Sequence, residues 1–312
     1  MDPLSSLRAP RLGAPSTDAD DPRIGRWLAY NKIGPNTRIA LVGFPSDEGV
    51  RRNGGRPGAA EGPAALRAAL YRMTPDPRMP GSFTGLLGRA VDLGDVFPTG
   101  DLEADQQQLG LVVGTLLERG ITPIVIGGGH ETAFGHFLGY AYAKRRVHLV
   151  NWDAHPDVRP LKEGRGHSGS PFRQALEHVS GTAASYTVLG LHPQRVAATH
   201  AAYAQRHGRL AWLSDLDAAR IEAFAADAPG PALASFDLDL VDAAQAPGVS
   251  TPGVGGLDER LWLHAAERCA RSGAFTSFEV VELNPLHDVD GRTATLAALT
   301  VWHILRGIAA RG

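Results

Sequence analysis

The 312-residue sequence has little of three features that would narrow its class at once. Its one cysteine, Cys269, cannot form an intrachain disulfide and cannot build a cysteine-rich zinc site alone. No uninterrupted apolar run reaches the roughly 18 to 20 residues that a membrane-spanning helix needs. The 31 Lys and Arg residues nearly balance the 33 Asp and Glu residues, so the formal net charge of -2 implies no general attraction to nucleic acid or to anionic lipid. Because one cysteine cannot supply a thiolate site, any bound metal would need oxygen and imidazole ligands.

The amino-terminal segment lacks the apolar core of a signal peptide. Residues 1–25 carry four prolines and several acidic side chains instead. We therefore expect a cytoplasmic protein in which residues 1–25 form a flexible tail and residues 26–312 form a single domain. With 43% hydrophobic and 21% charged residues, the composition excludes a mainly disordered chain.

Short β-branched runs alternate along the chain with longer helical patterns. Predicted strands cover residues 38–44, 90–93, 122–126, 147–152, 186–191, 210–213, 232–237 and 276–280. Predicted helices cover residues 101–119, 131–143, 217–226, 258–271 and 292–306. This alternation predicts an α/β fold with a parallel sheet and helices on both of its faces.

Glycine is abundant, with 37 residues, and much of it lies in the loops that follow the predicted strands. In an open parallel sheet, ligands bind at the carboxyl ends of the strands, so these loops are the first place to look for a site. Four of the loops carry polar motifs, which are GGGHE at 127–131, NWDAHPDVRP at 151–160, SFDLDLVDAAQAPGVSTPGVGG at 235–256 and EVVELNP at 279–285.

Two of these motifs place aspartate and histidine at every second position. Alternate side chains of an extended segment point the same way, so each set converges on one point. With His130 of the GGGHE motif, they supply two imidazoles and four carboxylates, and the carboxylates would repel one another unless cations were present. A ligand set without thiolates favours manganese, and a pair of such ions lowers the pKa of a water molecule. The candidate ligands are His130, Asp153, His155, Asp157, Asp237 and Asp239.

Each motif alone has an ordinary interpretation. An isolated DxD is usually a turn or a solvated strand end, and a histidine after glycines can cap a helix. GGGHET is not a dinucleotide fingerprint, because Thr132 stands where that motif needs its third glycine. Three such motifs at three strand ends favour the metal interpretation. The remaining histidines, among them His136, are interpreted as ordinary structural residues.

The three motifs GGGHE, DAHPD and SFDLDLVDAAQAPGVSTPGVGG resemble the signatures of the ureohydrolase (arginase/agmatinase) superfamily, from about Arg38 onward. Three further segments resemble its formimidoylglutamase members, namely RRNGGRPGAAEGPAALR at 51–67, HSGSPFRQ at 167–174 and ELNPLHDVDGRTATLAA at 282–298. The resemblance implies a three-layer αβα sandwich with an eight-stranded parallel sheet, a single catalytic domain over residues 26–312, and often a trimer or hexamer. It also implies hydrolysis of N-formimidoyl-L-glutamate to L-glutamate and formamide, as in histidine degradation.

Carried over by position, the resemblance assigns each ion four ligands. The first ion would be held by His130, Asp153, Asp157 and Asp237. The second would be held by Asp153, His155, Asp237 and Asp239, with Asp153 and Asp237 bridging the two ions.

Outside the metal ligands, the resemblance and the residue chemistry suggest further site residues. Glu282 would accept the N–H groups of an amidine, because a carboxylate matches their planar arrangement. Asp157 is our preferred proton carrier. Ser168 stands where arginases place a histidine, and we do not transfer that role to the neighbouring His167.

A substrate derived from glutamate has two carboxylates, which a guanidinium binds through paired hydrogen bonds. Arg159 is the leading candidate for this contact, followed by Arg56, Arg173 and Arg292. Two rival functions remain open. One is a ureohydrolase that releases urea from a guanidino acid, agmatine or arginine, and the other is a non-catalytic ligand-binding relative.

Overall fold

The computed structural model describes residues 2–10, 18, 20–30 and 33–311. Nine strands within these residues form one sheet, and every pairing between neighbouring strands is parallel. In chain order the strands are β1 (Ala29–Tyr30), β2 (Ile39–Phe44), β3 (Ala90–Asp95), β4 (Thr122–Gly127), β5 (Val147–Trp152), β6 (Ala183–Leu191), β7 (Gly208–Trp212), β8 (Ala232–Asp237) and β9 (Phe275–Val281).

The eight strands predicted from the sequence are all present, and the α/β prediction with a parallel sheet is confirmed. The additional strand, β1, pairs with β3 at the edge of the sheet and is two residues long. Two residues cannot show the alternation by which a strand is recognised in a sequence, which explains why β1 was not predicted.

Helices cover both faces of the sheet. In chain order they are α1 (Glu48–Asn53), α2 (Gly62–Leu70), α3 (Pro80–Leu87), α4 (Leu102–Glu118), α5 (Thr132–Tyr142), α6 (Pro171–Leu176), α7 (Ala198–His207), α8 (Ala218–Asp227), α9 (Glu259–Arg271) and α10 (Arg292–Ala309). The five predicted helices correspond to α4, α5, α8, α9 and α10. None of the helices in the described ranges is both long and apolar enough to cross a membrane.

Two hydrophobic cores lie on opposite faces of the sheet, because alternate residues of each strand face opposite ways. In β2, Ile39 and Leu41 belong to the first core, while Ala40 and Val42 belong to the second. Helices α2, α3, α8, α9 and α10 cover the first core, and α4, α5, α6 and α7 cover the second. The lone cysteine, Cys269, is buried in the first core.

The order of strands across the sheet is β1-β3-β2-β4-β9-β8-β5-β6-β7. The strands β4, β9, β8 and β5 are therefore neighbours at the centre of the sheet. These are the four strands that the polar motifs follow. Because all strands run the same way, their carboxyl ends meet at one edge, and the fold brings the four motifs together there.

Several described residues of the segment predicted as a flexible tail, residues 1–25, contact the sheet and its second core. Leu4 and Leu7 pack against the second core. Arg8 pairs with Asp95 in an antiparallel bridge, with backbone hydrogen bonds in both directions, and its guanidinium lies over the Phe97 ring. Residues 1, 11–17 and 19 of the predicted tail lie outside the described residues, and the flexible tail stays a prediction.

Candidate metal centre

His130 is positioned by the tight turn between β4 and α5. Gly128 in this turn lies so close to the backbone of Ser46 that a β-carbon would be 2.0 Å from its carbonyl oxygen, which leaves room only for glycine. The His130 backbone amide donates to Oε1 of Glu282 at 2.6 Å. Its imidazole Nε2 lies 2.9 Å from Oγ of Ser235. The ring is therefore held from one side, and Nδ1 points to the aspartates.

The His130 imidazole meets three carboxylates at the carboxyl edge of the sheet. Its Nδ1 lies 2.9 Å from Oδ2 of Asp237, 3.0 Å from Oδ2 of Asp157 and 3.4 Å from Oδ2 of Asp153. One ligand atom from each of the four residues lies within 4.8 Å of the others, and all four residues are buried. This is the spacing of groups that can hold one metal ion.

The other two predicted ligands lie beside this four-residue cluster. The Nδ1 atom of His155 is 3.3 Å from Oδ1 of Asp153, which also accepts the His155 backbone amide. Asp239 donates its backbone amide to Oδ1 of Asp237 at 2.8 Å. Oδ1 of Asp239 accepts the backbone amide of Thr251 at 3.2 Å. All six predicted ligands thus lie at one edge, with Asp153 and Asp237 between the others.

Neighbouring side chains fix the orientation of these carboxylates. Asn151 donates from Nδ2 to Oδ2 of Asp153 at 3.0 Å and also bonds to the hydroxyl of Tyr186. The Tyr186 hydroxyl in turn donates to the carbonyl of Pro156 at 2.6 Å. Partners of this kind orient metal ligands and tune their affinity.

The charges of the cluster call for a cation. Burial raises the pKa of Asp237 and of Asp239 well above its ordinary value, and the neighbouring carboxylates raise it further. Burial lowers the pKa of His130, but Asp237, Asp153 and Asp157 together outweigh this and raise it. The Nδ1 atom of His130 is buried and makes no hydrogen bond of ordinary geometry within the described residues. A divalent cation among these groups would replace the protons and be bound by this nitrogen and the carboxylates around it, so the residues fit a metal.

Two of the site residues have strained backbones. Asp157 has a φ of 42° and Glu282 a φ of 71°, in the left-handed region that non-glycine residues rarely adopt. The backbone amide of Glu282 donates to the carbonyl of Gly128 at 2.7 Å, which holds this conformation. Such strain is concentrated at functional positions, where the surrounding structure maintains it.

A cleft of about 220 Å³ opens above the cluster. Arg159 is exposed at its side and donates from Nη1 to Oδ1 of Asn53 at 3.2 Å. Asn53 also donates from Nδ2 to the hydroxyl of Ser168 at 3.1 Å. The lining residues are Val50, Asn53, Gly54, Gly55, His155, Asp157, Arg159, Ser168, Asp237, Asp239, Ser250, Thr251 and Glu282.

The other arginines suggested by the sequence lie outside the cleft lining. Arg56 donates to the carbonyls of Pro247 and Val249, and Arg292 donates to the carbonyl of Ala244.

Arg173 pairs with Glu177 on the surface of α6 and lies over the Tyr203 ring. The ring of His167 is also occupied, since Nδ1 accepts the backbone amide of Gly169 and Nε2 lies 3.1 Å from the carbonyl of Pro160.

Sequence reasoning missed the side of the cleft that α1 and the loop after β8 provide. Asn53 closes α1, while Ser250 and Thr251 come from the loop. The last residue of the GGGHE motif, Glu131, holds α1 in place by accepting the Gly49 backbone amide at 2.8 Å. The segments 51–67 and 235–256 were singled out as motifs, but neither reveals which of its members face the site.

Fold and site together define a class of protein. A parallel sheet with a buried cluster of imidazole and carboxylate groups at its carboxyl edge, opening into a small polar cleft, is the architecture of an α/β metal-dependent hydrolase. The model of the Arginase family matches residues 37–306, and the chain belongs to that family.

Relatives and solved structures agree with this assignment. The chain is 41% identical over 280 residues to a formimidoylglutamase from Rhodococcus jostii, covering 85% of this chain and 84% of the relative. It is 38% identical over 281 residues to a formimidoylglutamase from Chromobacterium violaceum, covering 86% and 87%. The crystal structure of Trypanosoma cruzi formiminoglutamase with Mn2+2 superimposes with a TM-score of 0.85 at 33% identity, covering 94% of this chain and all of that one.

Proposed function

We propose that this protein hydrolyses N-formimidoyl-L-glutamate to L-glutamate and formamide, with two manganese ions as cofactor. The observation that carries the proposal is the buried cluster of His130 with three aspartates beside Glu282, at the base of a cleft that Arg159 lines. The relatives named formimidoylglutamase, which match about 85% of the chain, support the same substrate.

The proposed metal ligands divide into two sets that share two aspartates. His130 and Asp157 would belong to the first ion and His155 and Asp239 to the second, while Asp153 and Asp237 would bridge. Bound divalent ions supply a water molecule that is acidic enough to act as a nucleophile near neutral pH. The neighbour structure with Mn2+2 and the absence of thiolates from the ligand set support manganese.

Glu282 is the residue proposed to orient the substrate. Its Oε1 accepts the His130 amide, while Oε2 is buried and makes no hydrogen bond of ordinary geometry among the described residues. This leaves Oε2 for an amidinium N–H at the cleft wall. The planar formimidoyl carbon would then face the aspartate cluster, which reduces the reaction to a step between positioned groups.

Asp157 is the proposed proton carrier. It faces both His130 and the cleft, so it can accept the proton that the attacking water loses. The same proton would pass to the amine nitrogen of glutamate as the C–N bond breaks. The positive charge of the amidinium is kept by the leaving amine, which takes up the hydroxyl proton released as the carbonyl forms, so the products are formamide and glutamate with a protonated amine. We expect an Asp157→Asn variant to lose turnover. If that variant kept both manganese ions and full turnover, this role would be excluded.

Arg159 is the proposed partner of the substrate carboxylates. It is exposed, lines the cleft and donates a side-chain hydrogen bond to Asn53. Ser168 and Asn53 extend the polar surface next to it and can add neutral donors. Arg56 and Arg173 are weaker candidates, because their guanidinium groups already contact protein partners.

One assay separates the proposed function from its rivals. Manganese-loaded protein is offered N-formimidoyl-L-glutamate, arginine, agmatine and guanidino acids in parallel, and formamide and urea are measured. Formamide from the first substrate only supports the proposal. Urea from any other substrate would move the specificity to a different ureohydrolase reaction, and the absence of both products would favour the ligand-binding relative.

The proposal extends to the cellular location and the oligomeric state of the protein. We propose a cytoplasmic enzyme, in keeping with the single buried cysteine, which needs no oxidising compartment. A homo-oligomer, either a trimer or a hexamer, follows from the family resemblance. Light scattering of the purified protein would measure its mass in solution.

A further inference from the structure

A second ionisable pair lies deep in the protein, away from the cleft lining. Nδ1 of His136 in α5 and Oε2 of Glu279 in β9 are 2.7 Å apart, and both side chains are completely buried. The two residues are 143 positions apart in the sequence. The chemistry proposed above uses neither of them.

The pair joins the same two elements that carry His130 and Glu282. The turn before α5 holds His130, and Glu282 follows β9 directly. At that end the elements are linked by the His130 amide and Oε1 of Glu282 at 2.6 Å. The contact between His136 and Glu279 is a second link between them, six residues after His130 and three residues before Glu282.

A buried polar contact between His136 and Glu279 costs free energy that apolar packing of α5 against β9 would not. Nε2 of His136 and Oε1 of Glu279 are buried and make no hydrogen bond of ordinary geometry within the described ranges. Burying polar atoms without partners costs stability, and well-packed apolar side chains would often serve a core at least as well. A role beyond stability would account for a polar contact here.

The same helix and strand carry a comparison residue. The hydroxyl of Tyr140, one turn further along α5, lies 2.7 Å from Oγ of Ser277, two residues earlier in β9. This contact also joins α5 to β9 and is also buried, but it lies further from the metal centre along both elements. The two contacts therefore join the same two elements at different distances from the site, one through an ionisable pair and one through neutral hydroxyls.

We infer that His136 and Glu279 are positioning residues, which hold α5 at a set distance from β9 and so place the His130 imidazole among the aspartates. The inference rests on the proposed function only through the role of His130 as a manganese ligand. What matters in this arrangement is the reach of the Glu279 side chain, because its length sets the separation of helix and strand.

Two substitutions separate length from charge. Glu279→Asp keeps the carboxylate but shortens the side chain by about 1.5 Å. Glu279→Gln keeps the length and an oxygen acceptor but removes the charge. We expect the Asp variant to bind manganese about tenfold more weakly, in the range found for partners of metal ligands. We expect the Gln variant to stay close to the unchanged protein, and kcat to fall more than KM rises in the Asp variant.

Titration of each metal-free variant with manganese, alongside thermal unfolding, gives a readout that needs no substrate. Tyr140→Phe is the matched control, and it should lower the unfolding temperature without changing manganese affinity. The inference is overturned if the Asp variant binds manganese as tightly as the unchanged protein, or if the Gln variant weakens as much as the Asp variant. Should the unchanged protein release no formamide, the proposed function fails, but this comparison of affinities still stands.

Discussion

The cleft has two ends that are held in different ways. At its base, the His130 ring contacts Ser235, the His130 backbone amide donates to the Glu282 side chain, and Asp153 and Asp237 accept backbone amides. At its side, Arg159 is exposed and donates a side-chain hydrogen bond to Asn53 at 3.2 Å. The base is built from the ends of four central strands, whereas the side is built from a short helix and loops.

The base and the side of the cleft therefore suit different tasks, which are catalysis and substrate recognition. A rigid base suits bond breaking, because ligands and nucleophile must be held in register. A side built from loops suits substrate recognition, since loops change without disturbing the sheet. We therefore expect substitutions of the proposed metal ligands at the base to remove metal and turnover together, and substitutions at the side to change KM alone.

The largest effect is expected from Asp237→Ala. This change removes a proposed bridging carboxylate that lies 2.9 Å from Nδ1 of His130. We expect formamide release to fall to background and the bound manganese, measured by atomic absorption, to fall below that of the unchanged protein. Asp217→Ala is the control, because Asp217 caps α8 and lies outside the cleft lining. Its loss should cost about 1 kcal/mol of stability and leave the manganese content intact.

Glu282→Gln is expected to have the next largest effect. The amide keeps the size of the side chain but loses the negative charge that would bind an amidinium. Charged hydrogen bonds of this kind contribute about 1.5–3 kcal/mol, so kcat/KM should fall by roughly ten- to a hundredfold. Manganese content should stay normal because Glu282 is not a proposed ligand. A variant with normal kcat/KM would remove Glu282 from the substrate site.

Arg159→Ala tests the side of the cleft. We expect KM for N-formimidoyl-L-glutamate to rise by roughly tenfold, the effect of losing about 1.4 kcal/mol of binding, while kcat and manganese content change little. Arg173→Ala is the matched control, since Arg173 pairs with Glu177 outside the cleft. An unchanged KM in the Arg159 variant would refute its role, and equal changes in both variants would point to a general charge effect.

The smallest and most gradual effect concerns pH. Burial lowers the pKa of His155, but its contact with Asp153 and the charges of Asp153, Asp157 and Asp239 outweigh this and raise the pKa to about 9 in the metal-free protein. A protonated imidazole cannot bind a metal, so manganese affinity should rise with pH up to about 9.

The stability of the metal-free protein should change in the opposite direction. The raised pKa of His155 stabilises the fold below the unfolded value of about 6.5, and this contribution is lost as pH rises through about 9. Calorimetric titration with manganese and thermal unfolding at several pH values would check both trends. A manganese affinity that does not change between pH 6.5 and 9 would contradict the expected rise in affinity with pH.

The sequence predicts the base of the cleft far better than its side. Apolar runs rich in β-branched residues indicate the eight longer strands, and the spacing of Asp153, His155 and Asp157 predicts that these side chains converge. The structure places them just after β5 ends at Trp152, with a positive φ at Asp157, rather than on an extended strand. The side depends on contacts between distant segments, such as Asn53 with Ser168, 115 residues later, which no local pattern reveals. Short elements such as α1, with six residues, also give too little periodicity to be recognised.

His136 illustrates the same limit inside the core. Its sequence context is that of an ordinary helix residue, and we interpreted it as structural. Its partner Glu279 is 143 residues away, so only the packing of α5 on β9 brings the two together. Likewise, Leu4 and Leu7 pack against the second core, a contact that the sequence does not show.

The claim that this protein is a manganese-dependent formimidoylglutamate hydrolase is tested most directly by measuring whether formamide forms only when metal is present. Purified protein is stripped of metal with a chelator, and N-formimidoyl-L-glutamate is added before and after manganese is restored. We expect no product from the stripped protein, and equal amounts of formamide and L-glutamate once manganese is present. Undiminished formamide release from protein free of metal, or no formamide after full manganese loading, would contradict it.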